Sequence, residues 1–328
     1  MKFAIIGATG NVGRKTLQIL EKSSIDIDKL YLVASKKSAG KNLDFKGKKL
    51  IIEDLEKYDF SKADITFFAA GSHLAEKLVL KASKKTIIID NSSYFRLNKN
   101  VPLIIAEVNP SALKGHKNII SNPNCSTMQM VLVLKPLHEK YKIKRVVVST
   151  YQAVSGAGKD PMDELVSQTQ AVLRGEKILS KNFTKQIAFN LIPHIDKFGE
   201  DGYTKEELKM EQETKKILDK NIELTATCVR VPVRTSHSES INIEFERDYD
   251  LSDLRNLLTK APGCKVVDSA EDGGYITPLE AEGDYNTYIS RIRKDRSNKK
   301  AVNLWVVSDN LLKGAALNTV QIAELLVK

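Results

Sequence analysis

The sequence predicts an α/β fold. A doubly wound, mostly parallel sheet comes first, a second domain of mixed α+β texture follows, and the last helix returns to the first domain. Three observations carry this prediction. Short apolar, β-branched runs alternate with helical or loop segments through the N-terminal third; a glycine-rich turn follows the first run; and after Cys125 longer helices and strands take over. The 328 residues suit two domains, and 42% hydrophobic content supplies a core for both.

Lys2 to Ile6 reads as a strand, Gly7 to Gly13 as a turn and Val12 to Leu20 as a helix. Further buried-strand runs stand at Leu30 to Ala34, Ile65 to Ala69, Thr86 to Ile89, Leu103 to Ala106 and Asn118 to Ile120. Beyond Cys125, helices are expected at Thr127 to Leu137, Met162 to Leu173 and from Thr204, where Thr204 and Glu207 form a capping box. Strands are expected at Arg145 to Ala153, Leu224 to Val233 and Ser240 to Glu246, and an apolar-striped helix at Asn310 to Val327. The expected domains are 1–125 with 309–328, and 126–308.

The formal net charge is +10, but the lysines are spread along the chain without basic runs interleaved with aromatics, which argues against a nucleic-acid partner. Neither a membrane-length apolar run nor a leader peptide is evident, so a cytoplasmic location is expected. Cysteines at 125, 228 and 264 form neither a disulfide framework nor a zinc pattern, and no metal is expected.

The first motif is GATGNVG, in which Gly7, Thr9, Gly10, Asn11, Val12 and Gly13 join a strand to a helix. Backbone amides and the positive helix end there suit a dinucleotide pyrophosphate, as in a Rossmann-type domain, although glycines also serve turns alone. About twenty residues on, where an NAD enzyme places an acid for the ribose hydroxyls, stand Ser35, Lys36, Lys37 and Ser38. Lysine pairs with a 2′-phosphate that a carboxylate would repel, so NADP is expected. Which of Lys36 and Lys37 meets it stays open.

The second motif is SNPNCSTMQM, with Asn124 before Cys125 at the predicted start of a helix. The helix dipole favours a thiolate at that position. Cys228 and Cys264 sit in or beside strand-like runs and read as structural. Arg230, between Val229 and Val231 and seven residues before His237 on the same candidate strand, needs an anionic partner or an exit to solvent. Glu206 and Lys209 share a helix face; as bare residues they are a surface ion pair contributing at most about 1 kcal/mol. His73, His116, His138 and His194 read as structural.

NSSYFR (Asn91 to Arg96), NPNCST, YQAVSGAG (Tyr151 to Gly158), TKEELKMEQET (Thr204 to Thr214) and CVRVPVRTSHSES (Cys228 to Ser240) occur in that order. Together they resemble the aspartate-semialdehyde dehydrogenase family across nearly the whole chain. The resemblance implies NADPH-dependent reduction of aspartyl phosphate to aspartate semialdehyde and phosphate through a thioester on Cys125. His237 would be the general acid/base and Gln152 would orient the acyl oxygen. Arg230 would hold the α-carboxylate, Glu206 the amino group, and Lys209, Arg96 and Asn124 the phosphate. Ser155, Gly156 and Asn310 would approach the nicotinamide end of the cofactor. A catalytic second domain that also joins subunits implies a homodimer or homotetramer. The alternatives are an N-acetyl-glutamyl-phosphate reductase and a non-catalytic NADP-binding protein.

Overall fold

The structure is a computed structural model describing residues 1–327, and the chain divides into two compact units. One comprises Met1–Pro123 with the segment from Ala315; the other is Asn124–Gly314. Cys125 and Asn310 therefore belong to the second unit, whereas the sequence reading put both with the first.

The first unit is built on seven strands: β1 (Lys2–Ile6), β2 (Lys29–Ala34), β3 (Asn42–Phe45), β4 (Lys48–Asp54), β5 (Ile65–Phe68), β6 (Ile87–Asp90) and β7 (Ile119–Ser121). Their order is β3-β4-β2-β1-β5-β6-β7, and all neighbours are parallel except β3 and β4. Helices α1 (Asn11–Lys22) and α2 (Ser72–Ala82) are its crossovers. Because both sheet faces are covered, β1 and β5 read as continuous apolar runs, with Phe3 stacked on Phe67. The order reverses beside β1, which places the ligand crevice of such sheets at its carboxyl end.

The expected strands of this unit depart from the structure in two places. The β3–β4 hairpin went unassigned; it turns on Lys46 and Gly47, both with left-handed φ (48° and 74°), the geometry of a two-residue hairpin loop. Leu103 to Ala106 is buried but is not a strand. It makes a single parallel bridge, Leu103 to Ser121 of β7, with Ile104 N–H donating to Ser121 O, and side-chain amides take up the rest: Asn109 Nδ2 donates to Leu103 O, Asn318 Nδ2 to Ile104 O, and Ile105 and Ala106 donate to Asn109 and Asn318.

The C-terminal helix Leu317–Val327 begins later than expected, after a π-helical turn at Leu312–Ala316. Asn318 also donates to Asn122 (2.6 Å) and Thr319 to Asn91 (2.8 Å), and Asn122 donates to Asn91 (3.0 Å). This buried amide lattice fixes the helix to the loops after β6 and β7.

The second unit contains α3 (Cys125–Tyr141), β8 (Ile143–Gln152), α4 (Lys159–Arg174), α5 (Lys205–Ile217), β9 (Glu223–Arg230), β10 (His237–Phe245), α6 (Leu251–Thr259), β11 (Cys264–Val266), β12 (Thr287–Lys294) and β13 (Ala301–Ser308). Its mixed sheet runs β11-β12-β13-β10-β8-β9. Ile241, Ile243 and Phe245 on alternate positions of β10 pack with Met130, Val133 and Leu137 of α3 in the main core. Among the described residues no helix is long and apolar enough to cross a membrane.

Candidate active site

In the first unit the glycine turn is dictated by contact. Gly7 has φ +83°, and a Cβ on it would lie 2.5 Å from the carbonyl oxygen of Ala69. A Cβ on Gly13 would run into the Gly7 carbonyl. Gly10 differs, since a Cβ there would meet only one atom, at 3.4 Å. Gly10 is also the N-cap of α1, which no side chain caps and whose first turn, through Asn11, Val12 and Gly13, holds no acid. Thr9 is half-buried beside it, and Ser35, Lys36 and Ser38 form an accessible turn at the end of β2, with Ser38 N–H donating to Ser35 O.

Arg96 follows β6 in the same unit and is 8% exposed. Asp90 accepts from Ser92 N–H and Oγ, closing the turn that leads to it, and Arg96 Nη2 donates to Asn91 O. Burial pushes the Asp90 carboxyl up, against the pull of the Ser92 hydrogen bonds and Arg96.

In the second unit, Asn124 is the N-cap of α3: its Oδ1 accepts from Ser126 and Thr127 N–H, which leaves half-buried Cys125 as the first helical residue. Asn124 N–H donates to buried Glu213 (2.6 Å) and Asn124 Nδ2 to Glu206 (2.8 Å). A Cβ on Gly314 would lie 2.7 Å from the Cβ of Cys125, so the π turn presses bare backbone against the cysteine. By contrast Cys228 is buried with its sulfur 3.7 Å from that of Met210, and burial pushes its thiol well up.

Sheet register supplies the remaining groups. Gln152 stands beside Arg230 at the ends of β8 and β9, and the register of Ser238 opposite Tyr151 continues to His237 opposite Gln152. His237 in turn faces Ser308. The row Ser308–His237–Gln152–Arg230 therefore crosses four adjacent strands. This corrects the expectation that Arg230 and His237 share one strand: β8 lies between theirs.

Glu206, on α5, is 6% exposed, so the surface ion-pair reading fails. Its carboxylate accepts from Asn124, from Gln152 (3.1 Å) and from Lys209 (3.1 Å). Burial opposes ionisation, but the Lys209 ammonium and these bonds outweigh it and hold the group at about 2. Lys209 also meets Asp196 at 2.7 Å. Glu207 faces elsewhere, accepting from Thr204 N–H and Cys228 N–H, which separates it from Glu206. Gln152 Oε1 accepts from Thr150, and one N–H donates to Glu206.

Arg230 is buried and donates to Ala153 O at 2.7 Å; burial lowers its pKa while Glu206 and Cys125 oppose that. His237 is fully buried, and its Nδ1 accepts from Ala153 N–H at 3.0 Å, which puts the ring proton on Nε2. Burial first, then repulsion by Arg230, depresses its pKa to about 3. Gly156 leaves room here, since a Cβ would sit 3.2 Å from the His237 ring and 3.3 Å from Arg230. Asn310 Oδ1 accepts from Ser155 Oγ and from the N–H of Ser236, whose φ of +74° aims the chain into His237.

Comparison with known proteins decides the family. Residues 2–116 match "Semialdehyde dehydrogenase, NAD binding domain", and residues 134–313 match "Semialdehyde dehydrogenase, dimerisation domain". The aspartate-semialdehyde dehydrogenase of Aquifex aeolicus is 50% identical over 100% of this chain and 98% of its own, and that of Bacillus subtilis is 47% identical over 99% and 97%. The chain belongs to the aspartate-semialdehyde dehydrogenase family. As a member it is an oxidoreductase with an NAD(P)-binding domain. A solved Vibrio cholerae aspartate-semialdehyde dehydrogenase II complexed with ASA superposes with a TM-score of 0.97 at 43% identity, covering 99% of this chain and 98% of that one. The Candida albicans enzyme with NADP gives 0.76 at 26%, covering 99% and 98%.

Three residues lie outside the sequence reading: Glu213 under the cap of α3, Gly314 against Cys125, and Glu239 below His237. Each acts through a contact distant in sequence, which leaves no local trace.

Proposed function

We propose that the chain reduces L-4-aspartyl phosphate with NADPH to L-aspartate 4-semialdehyde and phosphate, reversibly, through a thioester on Cys125, in lysine, threonine, methionine and diaminopimelate biosynthesis. The row His237–Gln152–Arg230, with Glu206 bonded both to it and to the cap of Cys125, carries this reading.

Cys125, at the positive end of α3, enters as thiolate and attacks the acyl carbon. The acyl C–O bond breaks and phosphate departs, with Lys209, Arg96 and Asn124 as its binding groups. NADPH, when bound at the glycine turn, would supply the hydride that reduces the thioester. The carbonyl oxygen then carries negative charge, which the second N–H of Gln152 and the Nε2–H of His237 stabilise. Collapse breaks the C–S bond, releases the aldehyde and restores the thiolate. Because Ala153 N–H occupies Nδ1, His237 works as a neutral donor, a narrower role than the general acid/base expected from the resemblance.

Arg230 pairs with the α-carboxylate, and Glu206, with three of its roughly four lone-pair sites used, accepts the ammonium. An ionised Glu206 disfavours an N-acetylated substrate. The uncapped, acid-free start of α1 fits the pyrophosphate, and Ser35, Lys36 and Ser38 fit a 2′-phosphate, which favours NADP. The match to a dimerisation domain supports at least a homodimer.

The test is NADPH formation from L-aspartate semialdehyde and NADP, with and without phosphate, beside Cys125→Ala. Strict phosphate dependence is expected, with activity falling more than about 10⁴-fold in the variant. Activity only with N-acetyl-glutamate semialdehyde would overturn the substrate assignment.

A further inference from the structure

One row below His237, Gln152 and Arg230, the same sheet face carries Val306, Glu239, Thr150 and Cys228. Glu239 is an acid among core residues. It is 0% exposed, and neither of its oxygens meets a partner at full hydrogen-bond geometry among the described residues, the amide of Gln129 being the side chain that approaches it. Gln129, one turn along α3 from Cys125, is 1% exposed and its amide nitrogen and oxygen are likewise unmatched. Buried polar groups left unsatisfied are costly and rare, so two complementary ones across one helix–strand contact call for an explanation.

We propose that Glu239 and Gln129 are positioning residues for the thiol chemistry: their side chains close on each other and tie the end of β10 that carries His237 to the helix that starts at Cys125. The donor inventory specifies the form. A glutamine amide needs a donor for its oxygen and an acceptor for its N–H; a protonated carboxyl supplies one of each, whereas a carboxylate supplies only acceptors. Burial pushes the Glu239 carboxyl well above its usual range, with Gln129 the group that works against this, so the acid form is the resident one. The ionisable group across the row is Cys228, whose thiol is pushed up in turn. Thr150, beside Glu239, donates to Gln152, so the pair borders the support of a second member of the catalytic row.

The proposal rests on the roles assigned to Cys125 and His237, and two readouts keep the failures apart: kcat, and the rate at which iodoacetamide alkylates Cys125, which requires no substrate. Glu239→Gln keeps one donor and one acceptor and should hold both readouts within about fivefold. The exchange of both, Glu239→Gln with Gln129→Glu, should do the same. Glu239→Met and Gln129→Met remove the link; kcat should fall at least about tenfold, and the alkylation rate should change with the KM for the aldehyde little altered. Each single replacement leaves its partner buried and unmatched, so melting temperature should fall with it; the double Glu239→Met, Gln129→Met variant removes both polar groups and should recover melting temperature but not kcat. The idea is overturned if the Met variants keep wild-type kcat and alkylation, or if Glu239→Gln loses as much as Glu239→Met. Should Glu239→Met fail to fold, Gln129→Met and the exchange carry the decision.

Discussion

Helices α1 and α3 both begin at functional motifs, yet their N-termini are closed in different ways. At α1 the cap is Gly10, with no capping side chain and no acid in the first turn. At α3 the cap is Asn124, whose carbonyl takes two N–H groups while its amide and backbone reach Glu206 and Glu213. Each arrangement leaves positive potential for one anion. On the proposed reading, that anion arrives with a ligand at α1, and at α3 it is the sulfur of the chain's own first helical residue. Shape recognition is thus built from absent side chains in one unit, and from fully engaged ones in the other.

Three experiments probe this contrast. Gly314→Ala should lower kcat by about 100-fold, since its methyl displaces Cys125 by a fraction of an ångström and misplacement of that order costs as much. Nucleotide affinity, which the proposed reading places chiefly on the glycine turn and the Ser35–Ser38 turn of the other unit, should hold, and an equal loss of both would break the comparison.

The pH dependence of stability comes next. His237 sits at about 3 when folded against about 6.5 unfolded, so the unfolded chain takes up its proton first. The stability it contributes is present above 6.5 and is lost as pH falls toward 3, at up to about 1.4 kcal/mol per pH unit. His237→Gln should flatten the acid arm of a melting-temperature profile by that amount, and an unchanged arm would show the imidazole to be charged in the fold.

Smallest is Asn11→Asp, which puts an acid into the first turn of α1. NADPH dissociation should rise about fivefold, the scale of one charge at a helix end, with kcat at saturation little changed. Equilibrium titration of cofactor fluorescence measures it.

Legibility in the sequence followed the same division. The strand–glycine–helix opening and the capping box at Thr204 were readable because their determinants lie within a few residues. Leu103 to Ala106 misled because it bridges β7 only at Ser121, and Asn109 and Asn318, the latter more than two hundred positions away, supply the rest of what a strand ladder would. The row of His237, Gln152 and Arg230 could be named residue by residue through resemblance, but not assembled: β8 lies between β9 and β10, a fact of register that spacing does not encode. Gly314 carried no signal in isolation, since its meaning lies in the Cys125 side chain pressed against it.

Glu207 has a second consequence. The carboxylate that caps α5 also accepts from Cys228 N–H, and Ile192 exchanges both backbone hydrogen bonds with Arg230. The outward-facing amides at the end of β9 are thereby occupied, and the strand that carries Arg230 offers no ladder to a stray β-segment. A helix cap and a sheet border share one residue, so the margin of this sheet is guarded against misassembly by the same contact that starts the helix bearing Glu206.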